Sequence, residues 1–270
     1  MKCKICDTEN ENIKYDLRNS KVYKCKKCNF HYSNYLDEEY GSEIENNEPL
    51  DDSLREYLRH QLQNNESKFA NQVKISCEYL ININSPKILD IGIGGGLFLS
   101  LISNSGIKPN YFGIELDEKR LKFAKEEYKL KNIYSIPLQD KFWVDNHKNS
   151  FDLISLWDVL EHVNSPKQIF ELSRILLKEG GFLIMDTPCR DTFYHRFGEL
   201  TYRLSNGKYA TFLNIMYSNQ PFGHKQILSK KDVGLLCDLS KHKLKSIKVF
   251  HELSFPIVKF PLLIFKIFAG

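Results

Sequence analysis

The stretch Asp90-Ile91-Gly92-Ile93-Gly94-Gly95-Gly96 constrains this chain more than any other. An apolar run (residues 88–89) precedes it and an apolar-periodic segment (97–102) follows. That order predicts a buried strand, a tight glycine turn and a helix start. Glycines at alternate positions suit a backbone at positive φ, against which a ligand can lie with no Cβ in the way. The dinucleotide pattern G-x-G-x-x-G fails, because its third glycine, counted from Gly92, would be Leu97. A plain glycine-rich βα turn is the alternative at this point. Tyr111-Phe112-Gly113-Ile114-Glu115 then predicts a second short strand ending in an acid, 19 residues beyond Gly96. A carboxylate there can accept both ribose hydroxyls of a nucleoside. Asp117 is the expected N-cap of a helix over 118–130.

Further along, Ser150-Phe151-Asp152-Leu153-Ile154-Ser155-Leu156-Trp157-Asp158-Val159-Leu160-Glu161-His162-Val163 reads as another strand and the loop after it. A helix over 169–177, a Glu179-Gly180-Gly181 stop, a strand over 182–185 and a closing Thr187-Pro188 follow. With acid-x-Gly-x-Gly-x-Gly, these motifs resemble the class I S-adenosylmethionine (SAM)-dependent methyltransferases across about residues 86–188. They are most similar to the branch holding ubiquinone-type O-methyltransferases and bacterial sugar or polysaccharide methyltransferases. The resemblance implies an α/β fold with a doubly wound, Rossmann-like sheet that ends in an antiparallel hairpin, residues 244–252 being its sixth strand. It also implies a donor site. Asp90, Gly92, Gly94, Gly96 and Glu115 would hold SAM, Leu116 and Leu138 would flank the adenine, and Gln139 or Asp140 would meet its amino edge. Trp157 and Asp158 would lie beside the methionine part. Residues 132–140 depart from the family's commoner Gly-Asp-Ala pattern.

Methyl transfer from a sulfonium is an in-line displacement, so the protein binds the donor, aligns the acceptor and excludes water. A sugar hydroxyl needs a base, and histidine titrates near neutrality. Gly223-His224-Lys225-Gln226-Ile227-Leu228-Ser229 resembles the family's G-H-x-x-x-(F/L)-S step. His224 is therefore the candidate base, with a histidine that merely holds the cap as the alternative. Asp158-x-x-Glu161-His162 resembles the acid-x-x-Glu-His set that binds a divalent cation in ubiquinone-type enzymes, so Glu161 and His162 are further catalytic candidates and Mg²⁺ or Mn²⁺ a candidate ion. A hydrogen-bonded pair at a helix start is the other reading of Glu161-His162.

Cys3-x-x-Cys6 and Cys25-x-x-Cys28, separated by eighteen residues, have the spacing of a four-cysteine Zn²⁺ site. Four thiolates close a tetrahedral ion, so the expected role is structural. Two disulfides or an iron–sulfur cluster remain alternatives. A segment this short cannot fold on its own core, so metal binding is expected to stabilise it. Similar zinc-ribbon prefixes occur on bacterial sugar methyltransferases and on some ribosomal RNA methyltransferases.

These motifs divide the 270 residues into a ribbon (1–35), a linker with cover helices (36–85), a methyltransferase domain (86–253) and an apolar tail (254–270). An insertion over about 188–227 forms a cap, whose aromatic residues either stack on a sugar or make the cap's own core. The tail is a last strand, a contact with a second copy, or an interfacial anchor at the inner face of the membrane; it is too short and broken to span one. Reduced, clustered cysteines and the lack of a leader point to the cytoplasm. A net charge of +4, from 38 basic and 34 acidic residues spread along the chain, argues against nucleic acid. The expected acceptor is a small molecule, nucleotide-sugar or glycan, methylated on oxygen in surface-glycan biosynthesis. An RNA methyltransferase using its ribbon for binding, and a SAM-binding scaffold, are the alternatives.

Overall fold

The computed structural model describes residues 1–33, 35–36, 50–217, 223–250 and 264–269. Most of the expected linker and of the apolar tail lies outside these residues. The chain divides into two compact units that interleave in sequence. One holds Glu38–Trp157 and Leu172–Ile184; the other holds Met1–Asp37, Asp158–Glu171 and Met185–Ala269. In chain order the elements are β1 (Ile13–Asp16), β2 (Lys21–Lys24), β3 (His31–Ser33), α1 (Asp52–Asn64), α2 (Glu66–Leu80), β4 (Lys87–Ile91), α3 (Leu97–Ser103) and β5 (Asn110–Ile114). Then come α4 (Glu118–Tyr128), β6 (Ile133–Tyr134), α5 (Lys141–His147), β7 (Phe151–Trp157), α6 (Pro166–Leu176) and β8 (Leu177–Asp186). The last elements are α7 (Phe193–Leu204), α8 (Thr211–Met216), α9 (Lys230–Ser240), β9 (Leu244–Phe250) and β10 (Ile264–Ala269).

The first unit is a Rossmann-like α/β layer built on a parallel five-stranded sheet, in the order β6-β5-β4-β7-β8. Parallel strands are covered on both faces, and β7 is accordingly buried at every position, Asp152 and Ser155 included. Asp90 of β4 sits inside this sheet with 1% exposure and accepts a hydrogen bond from Ser155 Oγ of β7 at 2.7 Å. Helices α1 and α2 precede the first strand of this sheet. Leu58 and Leu62 of α1 share a cluster with Leu97 of α3 and Phe123 of α4. Outside that cluster, Arg59 makes a two-pronged contact to Glu127 at 2.9 and 2.7 Å.

Boundaries differ from expectation where local caps decide them. α4 ends at Tyr128 because Lys129 turns left-handed. β8 begins at Leu177, ahead of the glycine pair that was expected to precede it, with Lys178 Nζ donating to both Asp152 oxygens at 2.8 Å. β6 is only two residues long, Ile133–Tyr134.

In the second unit, β1, β2 and β3 form an antiparallel sheet. Tyr15, Leu17 and Val22 of this ribbon bury themselves with Leu213, Tyr217 and Ile227 of the insertion. Of the cap's aromatic residues, Tyr217 is thus core. Phe193, Phe197, Leu200 and Leu204 of α7 are instead exposed. Asp232, in a capping box with Ser229, is buried against Arg190, 2.8 Å from its guanidinium. β9 pairs with β10 in an antiparallel hairpin, as the resemblance implied. Among the described residues no helix is long and apolar enough to cross a membrane.

Candidate functional site

In the sheet unit the turn after β4 is shaped by backbone that only glycine takes readily. Gly92, Gly94 and Gly96 have φ of 74°, 55° and 86°. The N–H groups of Gly92 and Ile93 donate to the Ile114 carbonyl at 2.8 and 3.0 Å, which ties the turn to the tip of β5. Glu115, the next residue, closes the link: its Oε2 accepts from Gly94 N–H at 2.7 Å and its Oε1 from Asp117 N–H at 3.0 Å. Asp117 itself caps α4 through Lys119 and Arg120 N–H. A carboxylate offers about four lone-pair positions, so two remain for hydroxyl donors. Burial pushes the Glu115 carboxyl up from its ordinary range, while the two backbone N–H groups and Arg120 pull it back down.

The other donor-site candidates of this unit lie near strand tips. Leu138 is buried, and Leu116 and Gln139 are partly so. Asp140 is exposed and spends its carboxylate capping α5 through Phe142 N–H. Trp157, at the end of β7, packs its ring 5.2 Å from Phe98. Its indole N–H is buried and meets no acceptor among the described residues. A buried orphan donor marks a place where a further polar group belongs.

In the ribbon-and-cap unit, Cys3, Cys6, Cys25 and Cys28 converge, with Sγ–Sγ separations of 3.6 Å for three pairs. A disulfide requires about 2.05 Å, so the disulfide alternative falls. Four sulfurs about 2.3 Å from one tetrahedral ion would lie roughly 3.8 Å apart, close to what is seen. Both knuckles are built alike: the N–H of Asp7 returns to Cys3 O and that of Asn29 to Cys25 O, each at 3.0 Å. Asp7 and Asn29 are left-handed, with φ of 56° and 62°, a conformation Asn and Asp tolerate best among non-glycine residues. Cys77, Cys189 and Cys237 form no disulfide.

The same unit brings together three catalytic candidates. Asp158 is left-handed (φ 53°), its N–H held by Asp186 Oδ1 at 2.8 Å. The loop after it places Glu161 in full burial, where Oε2 accepts from Thr187 Oγ1 at 2.9 Å and Oε1 lies 3.8 Å from His162 Nε2. His162 and His224 stand with ring centroids 4.9 Å apart. One donor atom from each of Glu161, His162 and His224 falls within 4.8 Å of the others. His224 thus joins the expected Glu161-His162 pair, giving one carboxylate and two imidazoles, with the charge of Asp158 acting on all three. His224 Nδ1 is 3.1 Å from the Met216 carbonyl, which can only accept. The proton of the neutral ring is therefore on Nδ1 and Nε2 carries the lone pair. Burial lowers His224, and burial plus the neighbouring charge of His224 hold His162 down at about 4. Burial, with the charge of Asp158 adding to it, pushes Glu161 well above the carboxylate range. Thr187, Lys225 and Gln226 were not anticipated as partners here; a threonine at a strand tip and two polar residues after a glycine-histidine step were the signals present.

A family described as a methyltransferase domain matches residues 52–238, well over half of the chain. A ubiquinone biosynthesis O-methyltransferase of Thiobacillus denitrificans is 30% identical over 109 residues, spanning 39% of this chain and 45% of that protein. The chain thus covers under half the length of that curated relative. A SAM-dependent methyltransferase of Methanosarcina mazei shares the fold at a TM-score of 0.54 and 16% identity, over 72% of this chain and 95% of that one. A magnesium protoporphyrin IX methyltransferase from Synechocystis, solved with bound S-adenosylhomocysteine, does so at 0.51 and 13%, over 74% and 81%.

Proposed function

The chain belongs to the methyltransferase-domain family, and on that premise we propose that it transfers the methyl of SAM to a hydroxyl oxygen of a sugar, or of a sugar-linked group, of a surface glycan or its activated precursor. The single observation that carries the donor assignment is Glu115 folded onto the glycine turn, with acceptor positions left for two ribose hydroxyls. The orphan indole N–H of Trp157 fits the same group, since SAM brings acceptors that could satisfy it. When bound, SAM supplies an electrophilic methyl on a positively charged sulfur.

This chain's residues do the remaining work. Three glycines keep the turn free of Cβ atoms, so the donor can lie against the backbone. His224 Nε2 takes the proton of the acceptor hydroxyl as its oxygen attacks. Met216 fixes the tautomer that makes this possible. Burial lowers both His162 and His224, which favours their uncharged rings. Cys3, Cys6, Cys25 and Cys28 hold one Zn²⁺ in a closed, structural site. A second reading of the histidine cluster is a divalent cation on Glu161, His162 and His224 that lowers the acceptor's pKa. Of the two ions expected, imidazole-rich ligation suits Mn²⁺ better than Mg²⁺.

Isothermal titration calorimetry of the zinc-loaded chain with SAM and with S-adenosylhomocysteine tests the donor, and transfer of labelled methyl to a panel of nucleotide-sugars tests the acceptor. Uptake of neither compound overturns the assignment. Uptake without transfer to any sugar, together with salt-dependent RNA binding, redirects it to RNA; uptake with neither leaves a scaffold.

A further inference from the structure

We infer that the four-cysteine ribbon is the mount of the histidine pair, acting through Lys225 and Gln226 as positioning residues; this rests on the histidine-centred reading above. The loop over 160–163 belongs to no helix or strand, yet each of its four consecutive carbonyls is taken by one dipeptide. Gln226 Nε2 donates to Leu160 O at 2.7 Å and to Val163 O at 2.8 Å. Lys225 N–H donates to Glu161 O at 2.8 Å and its ammonium to His162 O at 2.6 Å. Both side chains are wholly buried, at 0% exposure. A buried ammonium is costly unless its donors are met, so it holds that carbonyl tightly. His224 is the residue before Lys225. One short segment therefore sets the backbone under both rings.

That segment is in turn held by the ribbon. Ser33 N–H at the end of β3 donates to Lys225 O at 2.6 Å, and Tyr32 and Gln226 form an antiparallel bridge. Lys4, inside the first knuckle, reaches Gln226 Oε1 at 3.5 Å and Tyr35 O at 3.2 Å, and the Tyr35 ring lies 5.5 Å from the Lys225 ammonium. The residues that close the two knuckles are anchored too: Asp7 pairs with Lys167 of α6 at 2.5 Å, and Asn29 O accepts from Arg190 at 3.2 Å. Cysteine knuckles, β3, Lys225-Gln226 and the histidine loop form one continuous hydrogen-bonded strut. Shifts of about 1 Å in a reacting group can cost up to about 100-fold in rate, so the ribbon's metal state reaches the base without touching it.

The test uses the full zinc-loaded chain with Gln226→Leu, which keeps bulk and removes both donors, and with Lys4→Met, which cuts only the ribbon end and leaves the core intact. Ring NMR signals of His162 and His224 and zinc content are read in each, and again after zinc is withdrawn by a chelator. The expected result is retained zinc with displaced or broadened ring signals in both variants, more so in Gln226→Leu, and the same displacement on chelation while the Gly92, Gly94 and Gly96 amides stay put. On a sugar acceptor, kcat should fall up to about 100-fold with the KM for SAM unchanged. Ring signals that match the wild type in Lys4→Met and after chelation overturn the inference, whether or not methyl transfer is ever observed. So does a loss of RNA binding in these variants with the rings unmoved, which would make the ribbon a binding module.

Discussion

The glycine turn and the histidine pair are built in opposite ways. The turn is a local device: Gly94 and Glu115 are 21 positions apart, on consecutive strand tips, and the contacts are between backbone N–H groups and one carboxylate. The histidine pair is assembled at long range. Lys225 meets the His162 carbonyl across 63 positions, and the ribbon meets Gln226 across 222. A local device survives most changes elsewhere, whereas an assembled one is vulnerable wherever its supports are made. Donor binding and proton removal should therefore fail separately.

His224→Ala gives the largest expected effect. Turnover should fall on the order of 1,000-fold with SAM affinity preserved, as calorimetry and methyl transfer together would show. Equal loss of both would break the comparison. Gly96→Ala attacks the local device: an added Cβ would meet Ala124 Cβ and a Leu130 methyl carbon at 2.8 Å, at φ 86°. Overpacking with a left-handed penalty predicts about 3 kcal/mol of lost stability in urea unfolding. Glu115→Gln should weaken SAM binding by about 2 kcal/mol, roughly 30-fold, since hydrogen bonds to a charged acceptor are exchanged for neutral ones. It should leave the histidine ring signals where they are.

The last effect is a pH slope. His195 is buried against the Tyr217 hydroxyl at 3.2 Å, and burial holds it at about 4. The unfolded chain protonates this histidine near 6.5, so the folded state binds fewer protons. Its contribution is complete above pH 6.5 and is lost as pH falls toward 4, at up to about 1.4 kcal/mol per pH unit. His195→Gln should flatten that part of the stability curve; an unchanged slope would remove His195 as its source.

Legibility in the sequence follows the same division. The β4 turn, the acid at the tip of β5, the Asp117 cap and the paired cysteine knuckles could be read because each depends on residues near one another in the chain. The Glu161-His162 pair and His224 were legible only as separate candidates, since nothing local says that a loop after β7 and a step after the cap will meet. The tie of the Asp158 N–H to Asp186, which shapes the start of that loop, was not legible either. Asp90 was expected at the donor, and it is tied to Ser155 within the sheet, a pairing across 65 positions that no periodicity reveals. Within the aromatic insertion Tyr217 is core, as one of the two readings had it, whereas Phe193 and Phe197 face outward.

The shared core of ribbon and insertion has a consequence for synthesis. Tyr15, Leu17 and Val22 leave the ribosome early, and their covering partners Leu213, Tyr217 and Ile227 follow about two hundred residues later. At 5–20 residues per second this is a delay of roughly 10 to 40 seconds. During it the nascent ribbon carries a bare aromatic flank, and crowding by neighbouring chains or prompt chaperone capture at that stage would govern how much finished protein a cell obtains.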